Sequence, residues 1–183
     1  MNLLSLKRVR SSIMQLSSNM KKVLIVLLTL LLISGCEDAG RQEANPDERY
    51  SYIIDMIKEH EVFSDTSNYF DITTDMAEID NGYRFYITVD NPRIAMYDVE
   101  LLAIEDGVDY MNTMAANVGI FETREYNLIP NQSNPSQNYM KGIVASAVTN
   151  KPETTLYIFV QFKNADYSNI HSEFFKFDVK YKG

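Results

Sequence analysis

The sequence predicts a mainly β protein, an antiparallel β-sandwich of about seven short strands preceded by one N-terminal amphipathic helix. Three observations lead there. Apolar residues alternate with polar ones at period two through most of the chain after Asn68. Turn chemistry punctuates that alternation at Asp80-Asn81-Gly82, Asn91-Pro92, Asp106-Gly107 and Asn150-Lys151-Pro152. One segment ahead of it, Pro46 to His60, carries helical spacing instead.

The helix comes first in order. Asn45 suits the N-cap, Pro46 the first turn, and Asp47 and Glu48 the positive end of the helix dipole. Tyr50, Ile53, Ile54 and Ile57 fall at i, i+3, i+4 and i+7, a single apolar stripe that must be buried against the domain. Strands follow. Phe70, Ile72, Thr74 and Met76 alternate with Asp71, Thr73 and Asp75, and the Asp80-Asn81-Gly82 turn closes a hairpin with Tyr83, Phe85, Ile87 and Val89. Tyr97, Val99, Leu101 and Ala103 resume the pattern. Residues 105–116 read as a loop, and 118–129 as a strand whose irregular alternation around Glu122–Glu125 implies a bulge or a change of sheet. Residues 130–138 form an exposed loop. Gly142–Val148, Thr155–Phe162 and Glu173–Tyr181 complete the set.

Short, half-buried strands at this spacing resemble the immunoglobulin or fibronectin type of sandwich. The resemblance is architectural: no Cys–Trp–Cys core is present, since the chain has one cysteine and no tryptophan. A closed β-barrel is the runner-up, because alternation alone does not distinguish an open sheet from a closed one.

Ahead of the domain lies Met20–Cys36, MKKVLIVLLTLLLISGC. Lys21 and Lys22 precede an apolar run, and small residues precede the cysteine, the three-part layout of a secretory signal peptide. Val23–Ile33 is too short for a bilayer span, which takes about 20 residues. The stretch resembles the lipobox of bacterial lipoproteins. That resemblance implies a diacylglyceryl thioether on Cys36, cleavage before it, and a lipid anchor at the extracytoplasmic face of a cell membrane. Residues 1–36 are then the signal peptide, with 1–19 either extending its positive region or lying ahead of a translation start at Met20. Residues 37–45 are polar and read as a tether, and 46–183 as the domain.

Composition narrows the function. Five of the 17 basic residues and none of the 25 acids precede Cys36, leaving 12 against 25 and a net charge near −13. Such a surface repels nucleic acid and anionic lipid. With Cys36 acylated no thiol remains, which removes disulfides, thiolate zinc sites and cysteine nucleophiles. His60 and His171 are the only histidines. They sit at a helix end and in a polar turn, and no nucleophile elbow, His-Glu-x-x-His or phosphate-cradling glycine loop accompanies them. The expectation is a non-enzymatic chain without a cofactor.

Two groups of residues remain as candidates. Glu105, Asp106 and Asp109 place three carboxylates in one turn, weak candidates for a calcium site beside the plainer reading of a solvated turn. Tyr86, Tyr157 and Phe159 project from the faces opposite their strands' apolar sides. Such aromatics either form an interface or are covered by the Pro46–His60 helix. The expected function is a lipid-anchored extracytoplasmic binding or structural module that contacts another envelope protein. A ligand- or ion-binding lipoprotein serving transport or sensing is the alternative, and a hydrolase using two carboxylates the more distant one.

Overall fold

The computed structural model describes residues 45–110 and 112–183. The signal peptide, Cys36 and residues 37–44 of the tether lie outside the described residues.

Helix α1 (Pro46–Glu59) begins as its sequence dictates. The Asn45 side chain accepts the Asp47 amide at 3.1 Å, its carbonyl accepts the Arg49 amide, and Pro46 needs no partner in the first turn. The helix ends one residue earlier than the spacing predicts, with His60 already extended. Ile53, Ile54 and Ile57 are its buried stripe.

Among the described residues nine strands follow: β1 (Asp71–Ile79), β2 (Gly82–Asp90), β3 (Tyr97–Glu105), β4 (Ala116–Val118), β5 (Asn127–Leu128), β6 (Tyr139–Met140), β7 (Gly142–Thr149), β8 (Glu153–Lys163) and β9 (Ile170–Lys180). A three-stranded antiparallel sheet has the order β1-β2-β7, and a four-stranded one the order β4-β3-β8-β9. Neither sheet closes on itself, so the barrel alternative is set aside. The short β5-β6 pair runs parallel, as does the single bridge between Ser64 and Phe175 on β9; the two larger sheets are antiparallel throughout.

The two sheets share one core. Phe70, Ile72, Met76, Phe85, Ile87 and Val89 meet Leu101, Leu156, Ile158, Val160, Phe162 and Phe175 across it. These are the inward phases of the alternation, which is why the period-two pattern was legible. A second, smaller core lies on the other side of the four-stranded sheet, where Ile53, Ile54 and Ile57 of α1 pack with Leu102, Ile104, Ala115, Ile120 and Phe159. That sheet is therefore buried on both faces, and β3 and β8 read as near-continuous apolar runs.

Residues 118–129 depart from expectation. β4 stops at Val118 because Gly119 turns the chain with φ +85°, and a Cβ there would lie 2.3 Å from the Val99 carbonyl oxygen. The chain re-enters a ladder only at β5. A bulge also sits in β3, between Tyr97 and Glu100, with Asp98 in the left-handed region and its amide donating to Asn127 Oδ1.

Candidate functional site

The sheet faces sort the aromatic candidates. On β8, Phe159 is completely buried beneath α1, with the Arg49 guanidinium 5.9 Å above its ring. Tyr157 is half-buried, its ring 5.1 Å from Phe63 and 5.5 Å from Lys176 Nζ. Arg49 pairs with Glu100, and the Tyr50 hydroxyl accepts the Ala115 amide at 2.7 Å, so the helix is tied down at its first turn. Phe159 is thus withdrawn as an interface residue, and Tyr157 serves the rim of the α1 contact. The reason is the one the helix supplies: an apolar stripe needs an apolar surface, and these rings are that surface.

Tyr86 is placed differently. It lies in β2, in the middle of the three-stranded sheet, opposite Asp75 of β1 and Ser146 of β7. Its face is the one turned away from the shared core. On the same face, Val144 is 54 % and Val148 50 % exposed, opposite Thr88 and Arg84 respectively. Helix α1 packs on β3 and β8, at the far side of the molecule. Tyr86, Val144 and Val148 therefore form an open, partly apolar sheet face. Sequence reading missed both valines, although strict alternation in Ile143-Val144-Ala145-Ser146-Ala147-Val148 would have assigned them to one face.

The acidic turn does not converge. Glu105 ends β3 pointing inward and is 6 % exposed, whereas Asp106 and Asp109 are exposed. Glu105 Oε1 accepts the hydroxyls of Thr149 and Thr154, each at 2.9 Å, and lies 3.2 Å from Lys151 Nζ. Among the described residues no three carboxylate, histidine or thiol groups are arranged to hold a metal ion. Glu105 instead ties the end of β3 to the connection that carries the chain from β7 in one sheet to β8 in the other. Its own amide donates to the Tyr110 hydroxyl at 2.7 Å. Burial pushes the Tyr110 phenol up to about 12 from an ordinary 10.0. Beside this knot is a cleft of about 400 Å³ whose lining includes Phe85, Tyr110, Met114, Val148 and Lys151.

Both histidines are packed on rings. His60 stacks on Phe174 with centroids 3.7 Å apart, and His171 on Phe162 at 5.0 Å. At the far end of β1, Asn91 and Arg93 hydrogen-bond Asp71 and hold its carboxyl below the ordinary carboxylate value. The His60 and Asp71 contacts fasten loops to strands, whereas His171 lies within β9, opposite Phe162 of β8, and not in the polar turn expected. Compared with family models, curated proteins and solved structures, the chain matches none.

Proposed function

We propose that this chain is a lipid-anchored, extracytoplasmic binding module that contacts another envelope protein, built on an immunoglobulin-like β-sandwich. The observation that supports the reading is the contrast between the two sheets. One has its outer face covered by α1, and the other presents Val144 and Val148 to solvent with the partly buried Tyr86 between them. A face that keeps half-exposed valines and a tyrosine near its centre has the composition of a contact surface, aromatic and aliphatic with a polar rim. The anchor is the diacylglyceryl group on Cys36 that the lipobox resemblance implies. The polar residues 37–45 are the expected tether between that anchor and the domain.

The test of the anchor is metabolic labelling with a radioactive fatty acid, comparing the native chain with Cys36→Ser. Label in the membrane fraction that disappears with the substitution is the expected result. A chain that keeps its label, or that is never labelled, contradicts the anchor. A second reading, a ligand-binding lipoprotein, draws on the cleft beside Glu105 and Tyr110. It predicts that a small solute raises the melting temperature and that Met114→Trp, by filling the cleft, abolishes the rise.

A further inference from the structure

We infer that the free edge of β7 accepts an added β-strand, an extended segment of a partner protein that carries an acidic residue at each end. The inference rests on the binding-module reading and names the surface and the chemistry of its partner.

Each of the two sheets ends in two outer strands, and three of these four carry a device against pairing. β4 is only three residues long. The edge of β9 is occupied by Ser64, whose amide donates to the Phe174 carbonyl at 2.9 Å and whose carbonyl accepts the Lys176 amide at 3.0 Å. β1 bears Asp71, Asp75 and Glu78. β7 has none of these. Its eight residues, Gly142 to Thr149, contain no charge and no proline, and its pairing with β2 runs without a bulge. β4 comes close to β7 from the facing sheet, yet among the described residues no backbone hydrogen bond joins them. In an antiparallel ladder every second residue turns its amide and carbonyl away from the neighbour, so β7 offers a row of donors and acceptors on its outer side. A long uncharged edge of this kind is a template for strand addition.

Charge identifies the occupant. In a strongly acidic protein, this edge is flanked by two exposed lysines, Lys141 immediately before β7 and Lys151 two residues after it, where the chain crosses to β8. Lys141 has no ion-pair partner among the described residues, and Lys151 leans on Glu105 with its side chain still 52 % exposed. A second copy fits poorly. The antiparallel register that sets Val144 against Val148 of another chain also sets Lys141 against Lys151 twice, and like charges directly opposite are destabilising. An added strand with β-branched residues on the Val144 face, small residues on the other and an acid at each end satisfies both the ladder and the lysines.

The experiment uses the full chain in detergent micelles and a synthetic peptide of about twelve residues, glutamate at both ends with valine and serine alternating between. Hydrogen exchange read by mass spectrometry is expected to show new protection confined to Gly142–Thr149. N-methylation of alternate peptide amides should abolish binding in one phase and spare it in the other. The peptide ending in lysines should bind more weakly, and Lys141→Glu should cost the acidic peptide about fivefold and favour the lysine-ended one. Equal binding by both N-methylated phases, or protection outside β7, overturns the inference. So does protection of β7 by self-association without peptide, which would make the occupant a second copy. These outcomes are independent of Cys36: loss of the anchor leaves peptide binding intact, and loss of peptide binding leaves the anchor intact.

Discussion

Glu105 illustrates how one buried carboxylate organises its surroundings. Its Oε1 atom gathers two threonine hydroxyls and a lysine, joining the end of β3 to both ends of the connection between β7 and β8, which crosses from one sheet to the other. Replacing it with alanine removes the acceptor shared by the buried Thr149 and Thr154 hydroxyls, and a destabilisation of about 2–4 kcal/mol is expected in urea unfolding. Glu105→Gln, which keeps one acceptor oxygen, should cost less than Glu105→Ala. Tyr110 makes a prediction about pH. Its phenol is held at about 12 in the folded chain against 10.0 when unperturbed. The folded state therefore keeps a proton that the unfolded state releases, so this contribution to stability is intact below pH 10 and is lost as pH rises from about 10 to about 12. Unfolding followed across that range should show the decline, and Tyr110→Phe should flatten it. A valine at 144 and another at 148 are each unremarkable alone. Their meaning comes from sharing a face with Tyr86.

At the scale of elements, α1 decides which surface is available. Its stripe of isoleucines covers Leu102 and Phe159, and Ile53→Ala should cost about 2–5 kcal/mol by opening a cavity there. The cap is worth less: Asn45→Ala should lower stability by about 1 kcal/mol. The turn at Gly119 is less forgiving than either a cap or an exposed loop glycine. Gly119→Ala combines a positive φ with a clash against the Val99 carbonyl, and loss of the β3–β4 pairing, seen as faster amide exchange at Ala116–Val118, is the expected result. Helix α1 and the long strands were legible because their periods are clean and each buries one side: Ile53, Ile54 and Ile57 at helical spacing, Phe85, Ile87 and Val89 at period two. Residues 118–129 were not, because their backbone is set by Gly119 and by Met96 and Val99, which bond Leu128 and Tyr126 from a distant part of the sequence. The acidic turn was legible in composition and misleading in geometry, since side chains at the end of a strand alternate sides and Glu105 goes inward while Asp106 goes out.

The domain formed by the described residues is asymmetric in its two outer faces and in its edges. One sheet is buried between the core and α1, whereas the other has a face and an edge open to solvent. No helix among the described residues is long and apolar enough to cross a membrane. The aromatic candidates divided along the same line, with Phe159 under the helix and Tyr86 on the open sheet, a division that no strand pattern could supply because it depends on where α1 docks. The central claim is that the open sheet is the working surface of an anchored binding module. Its most direct test is site-specific photo-crosslinking in intact cells, with the photoreactive residue placed at position 144 or 148 and, as a control, at the exposed Tyr52 of α1. The account predicts an adduct with one envelope protein from 144 and 148 and none from 52. An adduct from 52 alone, or none from any position, would contradict it.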